Sequence, residues 1–353
     1  MSLDQELTAV PVSASKGRWS EYTQLSRQVK QAGLLDRRRG WYAARIASNL
    51  GLLAGGWAAF AIVGESWWQL VTAAYLAVVF TQLAFVGHDA GHRQIFRSRR
   101  ANDLVGLLHA NLLVGVSFDW WVGKHNRHHS NPNHEDLDPD ISITALAFTA
   151  DQASSKHGLV RLIARYQAWL FFPLLLLEAA HLHLASAKAI IGGGRGRANL
   201  VEGLLLVAHV AAYLTALVVV LSPLQAVAFL VVQQGLFGLY LGCSFAPNHK
   251  GMPTLTAADE LDFLRRQVLT SRNVRGSRSV DLVLGGLNYQ IEHHLFPTMP
   301  RPNLRRAQPL IRAFCQQHGL PYAEASLFGS YAEAIRHLHT VGQPLRPTIA
   351  ATD

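Results

Sequence analysis

Long apolar segments alternate with polar ones along the chain. Four of the apolar segments are long enough, or nearly so, to cross about 30 Å of hydrocarbon as helices. They are residues 49–63, 68–87, 201–221 and 224–246. The first two segments flank the turn Gly64-Glu65-Ser66 and the last two flank Ser222-Pro223, so the pattern predicts two helical hairpins. Two further segments, 104–118 and 168–187, are shorter or contain histidine, and we expect them to lie in the membrane interface or to dip into it.

Charged residues are distributed unequally between the two sides of this arrangement. The two tight turns on one side carry only Glu65 as a charged residue. The basic residues on the opposite side are Arg37, Arg38, Arg39, Arg93, Arg97, Arg99, Arg100, Lys188, Arg195, Arg197, Lys250, Arg265 and Arg266. Membrane proteins carry their excess of Lys and Arg in cytoplasmic loops. The pattern therefore predicts a multi-pass protein of the plasma membrane with both termini and the histidine clusters described below in the cytoplasm.

The composition agrees with a membrane protein and narrows the other possibilities. The 353 residues are 50% hydrophobic and only 16% charged, whereas soluble domains carry about a quarter charged residues. The net charge of +9 forms no basic stripe interleaved with aromatic residues, so we expect no nucleic-acid partner. Cys243 and Cys315 define no disulfide framework. Residues 1–41 are polar and show no secretory signal, so we expect the first span to act as the insertion signal.

Three short histidine clusters flank the apolar segments. They are His88-Asp-Ala-Gly-His92, His125-Asn-Arg-His128-His129 and Gln290-Ile-Glu-His293-His294. Residues three and four apart share one face of a helix, so each cluster directs two or three imidazoles to one point. Neutral imidazole is a ligand for iron, copper and zinc. Seven clustered histidines are more than one tetrahedral ion needs, and the sequence therefore predicts two metal ions.

The motifs HDAGH, HNRHH and QIEHHLFP occur here in an order that resembles the integral-membrane fatty acid desaturases with a histidine-ligated di-iron centre. The resemblance covers roughly residues 40–310, and within the family the chain is most like actinobacterial acyl-lipid and acyl-CoA desaturases, through GGLNYQIEHHLFP at residues 285–297. It implies an all-α integral membrane fold, with four transmembrane helices in two hairpins and a cytoplasmic helical cap that carries the di-iron site. We expect residues 46–310 to form this domain, between cytoplasmic segments 1–45 and 311–353.

The resemblance also implies a set of iron ligands. The expected histidine ligands are His88, His92, His125, His128, His129, His249, His293 and His294. His249 is included because it ends the fourth span as His88 ends the second. Gln290 stands where the third cluster would begin with histidine, and we expect it to bind iron more weakly; family members with glutamine here are often front-end desaturases. Asn248 is a weaker candidate that would act through a water molecule.

Two further sets of residues are expected to support the metal site. Ligating histidines usually donate their second ring N–H to a carboxylate or carbonyl. The candidate carboxylates near the clusters are Asp138, Asp140 and Asp89. The aromatic residues just before the second cluster are Phe118, Trp120 and Trp121. They either line a substrate tunnel or anchor the chain at the membrane interface.

By the same resemblance, the expected reaction introduces a cis double bond into an acyl chain carried on coenzyme A, carrier protein or lipid. Two Fe ions, O2 as co-substrate and two delivered electrons would remove hydrogens from neighbouring carbons and release water. The chain contains no His-Pro-Gly-Gly segment of a fused cytochrome b5 and no GxGxxG segment. We therefore expect no bound haem, flavin or nicotinamide. A separate ferredoxin, or a flavin and iron–sulfur reductase, would deliver the electrons.

Two other functions are compatible with parts of this pattern. An oxygen-inserting enzyme such as an alkane or carotenoid hydroxylase, a ketolase or an epoxidase would use a similar scaffold. Alkane hydroxylases usually carry His-Glu-x-x-His-His and Asn-Tyr-x-x-His motifs, and neither occurs here. A non-catalytic metal transporter would place ionisable ligands near the bilayer midplane, whereas these histidines crowd one side. Stoichiometric iron would favour an enzyme, and exchangeable zinc or copper would favour a transporter.

Overall fold

The structure, a computed structural model, describes residues 18–193 and 196–346, with side chains from residue 21 onwards. Residues 1–17 of the predicted segment 1–45, residues 347–353 of segment 311–353, and Arg195 among the basic residues lie outside the described residues. Most of the described chain is helical, which confirms the predicted all-α class. The elements are α1 (Arg18–Gln31), α2 (Arg39–Val63), α3 (Gln69–Gly91), α4 (Arg99–Gly106), a π-helix (Leu107–Val114), α5 (Phe118–Ser130), α6 (Ala150–Ser154), α7 (Gly158–Arg165), α8 (Gln167–Leu175), α9 (Glu178–Gly192), α10 (Arg197–Val220), α11 (Pro223–His249), α12 (Phe263–Leu269), β1 (Asn273–Arg275), α13 (Arg278–Val283), α14 (Gln290–Leu295), α15 (Arg301–Gln317), β2 (Glu324–Ser326), α16 (Leu327–Gly342) and a final 3₁₀ turn (Gln343–Leu345).

Four helices are long and apolar enough to cross a membrane, as the hydropathy pattern predicts. They are α2, α3, α10 and α11, joined in pairs by short connections at residues 64–68 and 221–222. Helix α3 packs against both α2 and α11 and is the most buried of these four helices. In its most apolar stretch 67% is buried, compared with 11% in that of α10. The helices continue past the apolar segments, so that α3 ends at Gly91 and α11 at His249. The polar ends of α3 and α11 therefore carry histidine.

The two shorter apolar segments form bent helix pairs. The segment made of α4 and the π-helix meets α5 at 110°, and α8 meets α9 at 68°. The first bend lies at Gly115, whose φ is +86° and where a Cβ would stand 2.6 Å from the His209 ring, so the turn requires glycine. His209 donates to the Leu112 carbonyl and His183 to the Gly115 carbonyl, both at 2.8 Å. These bonds satisfy backbone groups that the bend frees within apolar surroundings.

A helical cap covers the end of the spans at which α2 begins. Its hydrophobic core joins α1, α14 and α15, and includes Leu25, Val29, Leu295, Ile311 and Phe314. At the junction with the spans, Arg38 donates to Asn303 of α15 at 2.8 Å. Asn303 in turn donates to the Leu34 carbonyl at 2.8 Å. Parts of the predicted segments 1–45 and 311–353 thus pack in one core with the histidine-bearing helix α14.

Candidate metal centre

The first histidine pair lies at the end of α3, just beyond its apolar part. Because the backbone stays helical through Gly91, His88 and His92 project from one face with their ring centroids 4.7 Å apart. The His92 N–H donates to the His88 carbonyl at 3.1 Å and closes the last turn. A Cβ at Gly91 would stand 2.9 Å from the Trp121 indole, so the glycine lets α5 approach α3. The cluster spacing thus acts as the sequence predicts.

The second cluster is carried by α5, whose first turn is held by Glu202 of α10. The Ser117 hydroxyl donates to Oε2 of Glu202, and the Asp119 N–H donates to Oε1 at 2.9 Å. Glu202 is only 4% exposed, so a buried carboxylate satisfies groups that a helix start leaves unpaired. Sequence reasoning missed Glu202, because 83 residues separate it from Asp119 and no local spacing connects them.

The three imidazoles of α5 divide between two directions. His125 and His129, four residues apart, face each other with their Nε2 atoms 3.1 Å apart. The His128 ring turns away from this pair and lies 4.7 Å from the His249 ring, centroid to centroid. The end of α11, which carries His249, therefore lies at the candidate metal centre. The structure therefore places His249 beside the three clusters, as predicted from its position at the end of the fourth span.

The third cluster lies on α14, a short helix that is buried throughout. Its neighbouring histidines point apart, with centroids 5.9 Å apart and ring planes at 85°. The His293 ring lies 4.7 Å from that of His92, whereas the His294 ring lies 4.6 Å from that of His249. One short helix therefore directs a ring to each of two groups of imidazoles, so the expectation that each cluster directs its imidazoles to one point is wrong for this cluster and for the second.

Two groups of imidazoles result, each with ring nitrogens within 4.8 Å of one another. The first group is His88, His92, His125 and His293, and the second is His128, His249 and His294. His129 lies between them, with its ring 4.5 Å from that of His92 and stacked 4.1 Å from that of His294. All these rings are buried except that of His125, which is half-buried.

The free ring nitrogens of this site fit metal ions. The Nε2 atoms of His88, His92, His293 and His294 are buried and have no hydrogen-bond partner. Burial lowers the pKa of His293 and His294 well below the usual value, and neighbouring imidazoles lower it further. The rings are therefore neutral, which is the form that binds metal. Unpartnered buried nitrogens are costly in a protein, and a metal ion in each group would satisfy them.

Residues behind the second group orient its rings. His128 Nδ1 lies 3.0 Å from both carboxylate oxygens of Asp138, which is fully buried. Asp140 is paired with Lys124, and although burial raises the pKa of Asp140, the Lys124 ammonium holds it below its usual value. Lys250 donates to the Asp140 carbonyl at 2.8 Å. The two carboxylates suggested by sequence thus lie behind His128, with two lysines that balance their charge.

Two other partners were not indicated by the sequence. His294 Nδ1 lies 2.8 Å from the Gln267 amide oxygen, and His249 Nδ1 lies 2.9 Å from the Thr270 carbonyl. Both come from α12 and the residue after it, between the fourth span and the third cluster. Because a carbonyl at any position can accept such a bond, no residue type could have marked this one beforehand. On the opposite side of the site, Asp89 Oδ1 lies 3.3 Å from His88 Nδ1.

Gln290 and Asn248 lie beside the second group. The Gln290 amide nitrogen is 2.8 Å from His249 Nε2, and the Asn248 amide donates to Gln290 Oε1 at 3.3 Å. Asn248 Oδ1 is buried without a partner. Both amides are thus within reach of the second group, and the ligand roles expected for them stay predictions.

One of the three aromatic residues before the second cluster contacts the first group. The Trp121 ring stacks on that of His125 with centroids 4.5 Å apart and lies 5.5 Å from that of His88. Phe118 is buried against Gly106, where a Cβ would stand 2.2 Å from its ring. Trp120 packs at the margin of the hydrophobic core between the spans. Trp121 thus contacts the first group directly, whereas Phe118 packs against α4 and Trp120 against the core between the spans.

The fold and the site define an integral membrane protein with a polyhistidine metal site. Comparison with known proteins gives the family, because the family model described as Fatty acid desaturase matches residues 65–326. The chain belongs to the fatty acid desaturase family. This confirms the resemblance seen in the three motifs, whereas the likeness to actinobacterial members stays a prediction.

Similar curated proteins carry desaturase names. The acyl-lipid (9-3)-desaturase of Physcomitrium patens is 28% identical over 320 residues, which are 88% of this chain and 61% of that protein. The Delta(6)-fatty-acid desaturase of Caenorhabditis elegans is 29% identical over 97% of this chain and 79% of its own length. The Delta(5) fatty acid desaturase of the same organism is 29% identical over 93% of this chain and 76% of its own length. The chain thus spans under two thirds of the moss protein and about three quarters of the nematode proteins.

Proposed function

We propose that this protein is an O2-dependent fatty acid desaturase that introduces a cis double bond into an acyl chain. The observation that carries this proposal is the convergence of eight imidazoles at one end of four apolar helices, seven of them in two groups and His129 between the groups. Both groups contain buried ring nitrogens without a hydrogen-bond partner. Family membership and the desaturase names of the relatives agree with it. Neutral imidazole binds iron as well as copper and zinc. Because the family is one with a di-iron centre, we assign one iron to each group.

Named residues of both groups would hold this iron pair. The first iron is assigned to His88, His92, His125 and His293, and the second to His128, His249 and His294, with His129 between the two and Gln290 and Asn248 as weaker ligands of the second. When bound, the iron pair supplies O2 activation and the removal of hydrogen from an unactivated methylene. Burial favours the neutral form of the His293 and His294 rings, and Asp138, Asp89 and Gln267 orient the rings of His128, His88 and His294. Burial of the site also excludes water.

The substrate class follows from where the site lies. The site lies beside the polar ends of α3 and α11, between the apolar spans and the cap, so an acyl tail can reach it while its polar head stays in water. We assign Phe118, Trp120 and Trp121 to the wall of the substrate path, with Trp121 nearest the metal ligands. The head group would be coenzyme A, carrier protein or lipid. The relatives' names give double-bond positions such as Delta(5) and Delta(6), so these positions are examined first.

Electrons would come from a separate ferredoxin or from a flavin and iron–sulfur reductase. The formal net charge of +9 supports an acidic donor, because the basic residues lie mainly on the side of the cap.

We also propose a multi-pass plasma-membrane location with both termini and the metal centre in the cytoplasm, on the basis of the same charge distribution. A C-terminal tag should then be inaccessible to protease outside intact cells. Cleavage of the tag from outside would contradict this orientation.

Fatty-acid profiling tests the activity directly. The full chain is expressed in a host that also makes a ferredoxin and its reductase, and double bonds are located by mass spectrometry. We expect a new unsaturated acid that is absent from cells with His293→Ala and His294→Ala. The matched control is His181→Ala, because that histidine is half exposed on α9, away from the two groups, and pairs with Glu178. A hydroxylated product would favour oxygen insertion, and purified protein without iron would contradict the enzyme assignment.

A further inference from the structure

A buried ion pair lies directly behind the first histidine group. Arg301, the first residue of α15, is 7% exposed, and its Nη2 atom lies 2.6 Å from Oδ2 of Asp89. Asp89 is 2% exposed, and its other oxygen lies 3.3 Å from His88 Nδ1. The Asp89 carboxylate therefore connects a cation of the cap to a histidine of the metal centre.

Arg301 is held at this position by contacts besides the one with Asp89. Its guanidinium donates to the Phe85 carbonyl at 2.6 Å, and its backbone N–H donates to the Gln94 side-chain oxygen at 3.1 Å. Gly286, with φ +79°, leaves room for it, because a Cβ there would stand 2.6 Å from Cγ of Arg301. The guanidinium is therefore bound to the end of α3, the helix that carries His88 and His92. The rest of the side chain packs on the turn that leads into α14, the helix that carries His293.

The charge of this pair matters because it is buried beside a metal ligand. A carboxylate taken out of water needs a cation or hydrogen bonds to stay ionised. An ionised carboxylate that accepts from a ligating imidazole orients the ring and makes it more electron-donating. Its charge also acts on the metal itself, since charges inside a protein are weakly screened. The cation opposite such a carboxylate therefore controls how much negative charge the metal experiences.

We propose that Arg301 is a positioning residue for the metal centre that acts through Asp89. It holds the Asp89 carboxylate against His88 Nδ1, so that the free Nε2 of His88 faces the first metal, and it balances the carboxylate charge. The inference rests on the proposed function in that it assumes iron at the histidines. It goes beyond that function, because it states that a residue of the cap, outside the three motifs, helps to set the reduction potential of the iron.

The charge balance predicts opposite effects for the two partners. Arg301→Gln leaves Asp89 uncompensated, so the added negative charge stabilises oxidised iron. We expect the ratio of oxidised to reduced iron at a fixed potential to rise about tenfold. For a one-electron couple, this lowers the midpoint reduction potential, called the midpoint below, by about 59 mV. Asp89→Asn leaves the Arg301 charge uncompensated and should raise the midpoint, while the asparagine oxygen can still accept from His88. The double variant is again neutral and should return close to the midpoint of the unmodified protein.

The experiment measures the midpoint and the iron content of the purified full chain, in detergent and without substrate. The matched control is Arg305→Gln. Arg305 is exposed, lies one turn further along α15, and its Nη1 atom is 2.9 Å from Oδ2 of Asp281, an ion pair that involves none of the clustered histidines. We expect no change in its midpoint. Opposite shifts in the single variants with recovery in the double variant support the proposal. Shifts in the same direction, an unrecovered double variant, or an equal shift in Arg305→Gln would overturn it.

A general loss of structure is separated from the charge effect by Arg301→Lys. The lysine keeps the positive charge, so the midpoint should stay near that of the unmodified protein even where thermal stability falls. A midpoint as low as that of Arg301→Gln would show that charge is not the cause. If Arg301→Gln does not fold, Asp89→Asn decides, because an unchanged midpoint contradicts the proposal. Iron-loaded protein with unshifted midpoints refutes only this inference, whereas absent iron or absent product in the unmodified protein refutes the proposed function.

Discussion

Removal of the Asp138 charge should weaken the second metal group and leave the first intact. Asp138 is fully buried and lies 3.0 Å from His128 Nδ1 through both oxygens. It also accepts from the N–H groups of Asn133 at 2.7 Å and Asp140 at 2.8 Å. In Asp138→Asn the side chain keeps its shape but has one acceptor oxygen in place of two. Its NH2 group must then face one of these donors, so the orientation of the His128 ring is no longer secured.

The size of this effect follows from what such a partner contributes. Loss of a carboxylate behind a ligating histidine typically lowers metal affinity about 10- to 100-fold, or about 1.4–2.7 kcal/mol. The assay follows iron per chain in the purified protein as a competing chelator is raised. We expect one of two irons to leave at a chelator concentration about 10- to 100-fold lower than in the unmodified protein.

The matched control for this prediction is Asp136→Asn. Asp136 is exposed two residues away and is not among the partners of His128, so both irons should be retained as in the unmodified protein. Thermal unfolding of the metal-free proteins shows whether Asp138→Asn has lost only metal affinity or also its fold. Retention of both irons at unchanged chelator concentration would refute the reasoning, because the contact with His128 would then have no effect on binding.

Three further outcomes follow from other contacts. Gly115→Ala should lower the free energy of unfolding by at least about 1 kcal/mol, because φ is +86° and the new Cβ would meet His209; Gly123→Ala, whose Cβ meets nothing, is the control in a thermal melt. Glu202→Ala should cost about 1–2 kcal/mol at the start of α5 and reduce iron content, and full iron with unchanged stability would contradict this. Raising salt should slow turnover with an acidic donor, and a salt-independent rate would exclude electrostatic docking.

Local patterns were sufficient for the spans and for the histidines that converge at the candidate metal centre. Hydropathy is a property of consecutive residues, so the four helices at α2, α3, α10 and α11 could be located without tertiary information. Spacing of three and four residues likewise placed His88 with His92, and His125 with His129, on single helix faces. His249 could be found because the end of one span mirrors the end of another.

The division of the histidines into two groups could not be read from the motifs. His293 and His294 are neighbours in sequence, yet they point to different groups because the short helix α14 is buried between them. His128 likewise separates from His125 on one helix. A motif gives the spacing along one helix, but the direction of each ring depends on which other helices pack around it.

The residues that support the site were the least predictable part. Asp138 and Asp89 could be suggested because they stand near the clusters in sequence. Glu202, Gln267 and Arg301 could not, since they reach the site from other elements. Hydropathy and helical periodicity depend on neighbours within a few residues. The sequence by itself therefore determined the spans and the helix faces that carry the histidines. The charge balance and ring orientation depend on contacts between distant segments, and only the packing of the cap against the spans decided them.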